Sequence, residues 1–277
     1  LPHQPRRQRQ MCIRDSENTT PKEIIPAVVA GIENWNIAFE EAGFINAVVA
    51  KIQPEDAEWD AADYDYNVVR WSSEPDGNLL GIGPSVSNPL TGEIISADVV
   101  NKLLAIKLGY NYRKLYGYTE DNDPLMQYIT NLTLHEVGHV LGLRHNFRGS
   151  YLYSPDEIHD KNITGNVLMS SVMDYDPINI APEGVEQGIY FSTEPGVYDK
   201  WAVKFGYTPN LTDEERTALL QQSVKRELTF GTDDDAMSYP GNNIDPRTKR
   251  YDMSNDPIGY AEDLSLIHIS EPTRLEP

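Results

Sequence analysis

The chain has 277 residues, a formal charge of −20 and 39% hydrophobic residues. That is enough apolar material for a real core, which excludes a disordered acidic tail, and no apolar run reaches the roughly 18 residues a membrane span needs. The acid excess argues against a nucleic-acid partner, because phosphates would be repelled instead of neutralised.

Both ends read as foreign. Residues 10–16 and 264–270 can be written as DNA stretches that are reverse complements of each other. Both resemble the transposon-end adapters used in making sequencing libraries. We therefore expect residues 1–16 and 264–277 to be adapter-derived and residues 17–263 to form one domain, with an upper subdomain at 17–142 and a lower one at 143–263. Cys12, the one cysteine, falls in the first flank, so neither a disulfide framework nor a cysteine zinc site is expected. His3 and His268 leave with the flanks, and His135, His139, His145 and His159 remain.

Along the chain, Thr20-Pro21-Lys22-Glu23 reads as a capped helix start. Ile25, Val28, Val29, Ile32, Trp35 and Phe39 follow at helical spacing, and Gly43 reads as the stop. Residues 46–52 and 67–71 read as strands, and residues 79–86 and 93–100 as extended segments joined by a turn at 88–92. Residues 99–116 look mostly helical. Asp123-Pro124 opens a further helix that carries Leu125, Ile129, Leu132 and His135 and ends at Gly142. Helices are also expected at 195–205 and 212–226, with an irregular, acidic stretch at 231–263. The pattern predicts an α+β fold, with a mixed sheet and helices in the upper subdomain and mainly helix and loop in the lower one.

The centre of the sequence is His135-Glu136-Val137-Gly138-His139-Val140-Leu141-Gly142-Leu143-Arg144-His145. Residues four apart share a helix face, so His135 and His139 can aim at one point as ligands of a borderline-soft metal such as zinc. Glu136 lies about 100° around the helix, where it can reach a metal-bound water without being a ligand. Gly142 lets the chain leave the helix abruptly, and the turn beyond it can bring His145 back as third ligand. Three protein ligands leave a fourth position open, as a catalytic site requires. The two-histidine helix pattern alone arises by accident in about one chain in a hundred of this size, and the added glycine and third histidine make accident far rarer.

Further along stands Ser171-Val172-Met173-Asp174-Tyr175. The extended histidine motif followed by a methionine-bearing turn is similar to the pattern of the metzincin zinc metallopeptidases. The Trp35 helix, the strand at 67–71, the segment at 81–94 and the stretch at 199–209 resemble the metzincin-type domain of large bacterial zinc-dependent metalloproteases. The resemblance implies one catalytic Zn2+ held by His135, His139 and His145, with Glu136 as general base. It places Met173 beneath the histidines as the Met-turn and Tyr175 beside the metal as an oxyanion donor. It also implies a protein or peptide substrate lying along an edge strand at 81–88, and export to the periplasm, outer membrane or medium. The residue after the third histidine, which differs between metzincin subfamilies, is Asn146 here and does not assign the chain to one of the well-known subfamilies.

The family's first strand precedes its first helix, and here that place falls on adapter-derived sequence. The native strand is expected to be missing and the sheet correspondingly weak. Asp233-Asp234-Asp235 and the run Glu120 to Asp123 read as solvated acidic loops, with Ca2+ binding a weaker option. His159 reads as a surface loop residue, and the Asn-x-Ser/Thr triplets at Asn18, Asn131, Asn162 and Asn210 as idle. The alternative to a peptidase is an inactive zinc-bearing module that binds a peptide or a partner protein.

Overall fold

The computed structural model describes residues 13–63, 65–73, 80–236 and 245–270. Residues 1–12, with Cys12, and residues 271–277 of the adapter-like flanks, and the start of the 79–86 segment, lie outside the described residues. A five-stranded sheet has the order β2-β1-β3-β7-β4, where β1 is Ile13–Ser16, β2 Val49–Ile52, β3 Val68–Ser72, β4 Gly81–Ile82 and β7 Val99–Lys102. The first four strands in that order run parallel, and β4 closes the edge antiparallel to β7. Strands β5 (Ser85–Ser87) and β6 (Ile94–Ala97) form a separate hairpin, turned at Gly92 with φ +70°. The fold is mixed α+β, as the pattern predicts.

The sheet and the first helix depart from expectation in three places. The inner position beside β3 is filled, because Ile13–Ser16 pairs with β2 on one side and β3 on the other. Backbone pairing is blind to side chains, so this segment can complete the ladder. It does so with Arg14 and Asp15 only 1% and 7% exposed, where parallel inner strands usually carry apolar runs. The first helix starts later than Thr20. Residues 21–24 form turns, α1 spans Ile25–Glu33, and α2 (Trp35–Glu41) follows after a break at Asn34. Pro26 has no N–H for an earlier turn to use, so the regular helix begins with it in the first turn. Residues 99–102 are strand β7 and not helix; Val99 and Asn101 are fully buried against β3.

The remaining helices follow the sequence more closely. They are α3 (Leu103–Tyr116), α4 (Pro124–Val140), a short α5 (Lys161–Thr164), α6 (Val197–Tyr207), α7 (Asp213–Leu220) and a short α8 (Asp233–Ala236). Asp123 caps α4 by accepting from Leu125 N, and Thr212 caps α7 in a capping box with Glu215. The stretch expected to be irregular instead ends in α9, Pro257–Ser270.

Helix α4 is the centre of the main core. Gly31 on α1 sits so close that a Cβ there would lie 2.6 Å from Thr133 Cβ. Trp35, fully buried, donates from Nε1 to Leu134 O at 2.9 Å. A second, smaller cluster joins Ile158, Leu168, Met169, Ile189, Met253 and Tyr260. His159 belongs with it rather than with solvent: it is 5% exposed and stacks on Tyr260 of α9. No helix among the described residues is long and apolar enough to cross a membrane.

Candidate metal centre

The α4 helix ends in the geometry its glycine permits. Gly142 adopts φ +90°, Gly142 N donates to His139 O and Leu143 N to Gly138 O, which is a Schellman stop. The chain reverses there and returns His145 to the helix. One ligand atom from each of His135, His139 and His145 lies within 4.8 Å of the others.

The outer ring nitrogens fix the chemistry of the inner ones. His135 Nδ1 donates to Val172 O at 2.7 Å and His139 Nδ1 to Leu143 O at 3.0 Å. His145 Nδ1 bonds Asp233 Oδ2 at 2.9 Å. A carbonyl can only accept, so both helix histidines carry their proton on Nδ1 and present a bare lone pair on Nε2. Burial holds His135 well below the usual imidazole range and lowers His139 too, which keeps both neutral. Nε2 of His139 and of His145 face each other at 3.1 Å. Two lone pairs so close repel unless a cation lies between them. Two nitrogens on one tetrahedral zinc would stand about 3.3 Å apart, so the donor set fits that ion.

A chain of hydrogen bonds holds this arrangement. Asp199 on α6 accepts from Ser171 Oγ at 2.6 Å and Val172 N at 2.8 Å. It thereby fixes the turn whose Val172 carbonyl orients His135. Met173 is fully buried in that turn, and a Cβ on Gly138 would fall 2.3 Å from its sulfur, so the methionine packs directly against the helix between the two histidines. Asn146, also fully buried, receives Gly231 N on Oδ1, donates to Thr229 O, and bonds Met173 O through its own N–H. It clasps the 229–231 segment to the Met-turn and so delivers Asp233 to His145.

Asp233 corrects the reading of the 233–235 run as solvated loop. Burial raises its carboxyl, but the bonds to His145 and the charge of Arg250 outweigh that and the net shift is down. Arg250 reaches its other oxygen at 3.2 Å. Asp123 likewise leaves the solvated class, since it caps α4 and bonds Arg113.

Glu136 is 5% exposed, and its Oε2 has no hydrogen-bond partner among the described residues. Burial pushes its carboxyl up to about 8, an effect a neighbouring divalent cation would reverse. The edge strand crosses directly over it: a Cβ on Gly81 would lie 2.5 Å from Glu136 Oε1, and one on Gly83 2.4 Å from Glu136 O. Only glycine lets the two backbones approach so closely. The Tyr175 ring stands 4.7 Å from that of His145 and 5.5 Å from that of His135. Burial, with the charges of Glu136 and Asp233, pushes its hydroxyl up to about 12, so it remains a donor.

The sequence motif therefore names the three histidines and the residues around them, while Asp233, Asn146 and Asp199 emerge only from the folded chain. A family model described as Met-zincin matches residues 118–267, which take in the whole centre and leave the sheet outside the match. No curated protein and no solved structure matches. The three-histidine cluster, consistent with a zinc ion, and the match over more than half the chain agree: the chain belongs to the Met-zincin family, in the metzincin clan of metallopeptidases.

Proposed function

We propose that the chain is a zinc-dependent endopeptidase. The observation that carries this is the buried, unpartnered Glu136 Oε2 beside three convergent imidazoles, since a purely structural metal site has no use for such a carboxylate. A bound zinc would supply Lewis acidity and lower the pKa of a water to about 7. Glu136 is placed to take the proton of the attacking water and to return it to the leaving amine. Tyr175, held protonated beside the cluster, is placed to donate to the oxyanion that develops on the carbonyl. Asp233 and the Val172 and Leu143 carbonyls keep the imidazoles in the tautomer the metal needs.

The substrate would extend along Gly81 and Ile82, whose strand pairs with β7 and has no strand on its outer edge among the described residues. Backbone pairing of that kind holds many sequences. Casein cleavage tests the reading: hydrolysis that a chelator abolishes and added zinc restores supports it. A folded, zinc-loaded protein that cleaves nothing would favour a binding module instead.

A further inference from the structure

Beside Glu136 a cavity of about 150 Å³ opens between Leu80 and Gly81 of the edge and the segment after the Met-turn. That is room for one benzene-sized group. Its wall holds the carboxyls of Asp174 and Asp176 besides Glu136, and no lysine or arginine among the described residues lines it. Asp174 is engaged in the fold, accepting from Ser150 N and Tyr175 N. Asp176 accepts from Asn131 Nδ2 at 3.3 Å and from backbone N–H groups, that of Ser192 among them, and keeps part of its surface accessible. Burial without a counter-charge pushes its carboxyl up to about 7.

An independent feature points to an occupant. Tyr128 is 7% exposed and lines the same cavity, yet its hydroxyl has no hydrogen-bond partner among the described residues. Its ring is fixed edge-on against Tyr112, and Asp176 lines the same cavity. A buried hydroxyl left unpaired and a carboxylate with no cation beside it among the described residues are both costly, and a single cationic donor would answer the two together.

We propose that this cavity is the side-chain pocket of the cleft and receives a lysine or arginine of the substrate. The aliphatic stem would lie along Leu80 and Leu132, with the charged head between Asp176 and the Tyr128 hydroxyl. An acidic side chain would be repelled there, and an apolar one would leave the hydroxyl unpaired and the carboxylate without a counter-charge. The chain's charge of −20 would draw basic peptides towards the cleft in the same sense. This inference rests on the peptidase reading for the identity of the ligand, but it is read out separately from it.

The test uses zinc-loaded Glu136→Gln and labelled peptides that differ at one position, carrying lysine, arginine, norleucine or glutamate. Fluorescence anisotropy should give about 10-fold tighter binding for lysine and arginine than for norleucine, and weaker binding still for glutamate. Asp176→Asn and Tyr128→Phe, each placed in the same background, should bring the lysine-to-norleucine ratio close to one. Tyr128→Phe carries the test if the aspartate variant does not fold. Equal binding of lysine and norleucine peptides, or a lysine preference that survives both changes, overturns the pocket. Wild-type protein run on the same peptides separates the two readings. Indiscriminate cleavage would defeat the pocket and leave the peptidase standing, whereas a lysine preference in binding without any cleavage would do the reverse.

Discussion

Asp233 Oδ2 lies 2.9 Å from His145 Nδ1, across 88 residues of chain. The carboxylate fixes the ring's tautomer and strengthens Nε2 as a donor to a metal, and Arg250 holds the carboxylate from the other side. Asp233→Ala is expected to weaken zinc binding by about 10–100-fold while the fold persists. Competition against a chelating dye measures this, with circular dichroism as the check on folding. Unchanged affinity would mean the carboxylate only decorates the site.

Gly81 is expected to be intolerant for a reason unrelated to backbone torsion. A methyl group there would sit 2.5 Å from Glu136 Oε1 and 2.8 Å from Asn101 Oδ1, so the carboxylate must move. Displacing a catalytic group by about 1 Å can cost roughly 100-fold. Gly81→Ala should therefore lower kcat by one to two orders of magnitude with zinc stoichiometry intact. A variant as active as wild type would place the working carboxylate elsewhere.

Asp199 makes a prediction about pH. Its ordinary value is 3.8, and burial pushes it up to about 6 despite the bonds from Ser171, Val172 and Gly196. Because the folded value is raised, the stabilising contribution is complete below about pH 4, is lost as pH rises through 6, and changes little above. The loss should be about 2–3 kcal/mol. Urea unfolding of wild type and Asp199→Asn between pH 4 and pH 8 isolates it: wild type should lose stability relative to the variant over that window. A difference that is flat, or that grows in favour of wild type with pH, contradicts the assignment.

What the sequence made legible was local. The four-residue histidine spacing, the Gly142 stop and the Asp123 cap are each decided within one or two turns of chain, and each forms as expected. The partners that orient those residues could not be read in the same way. Asp199, Asp233 and the Asn146 clasp act through contacts that only the tertiary fold creates, and aspartates in acidic runs look alike in sequence whether solvated or buried. His159 was misread for the same reason, since the helix that covers it begins almost a hundred residues later. The one local miss at the start, Pro26, carried its own signal: a proline cannot sit in the second turn of a helix without removing a hydrogen bond. Strand β1 marks a different limit. Its side chains argue against an inner strand, yet backbone pairing places Ile13–Ser16 there.

The most direct measurement compares wild type with Glu136→Gln, recording zinc content and casein cleavage on the same preparations. One zinc per chain in both proteins, with cleavage falling at least about 100-fold in the variant, is the expected result. Equal cleavage by the two proteins, or a folded wild type that takes up no zinc, would contradict a zinc peptidase working through Glu136.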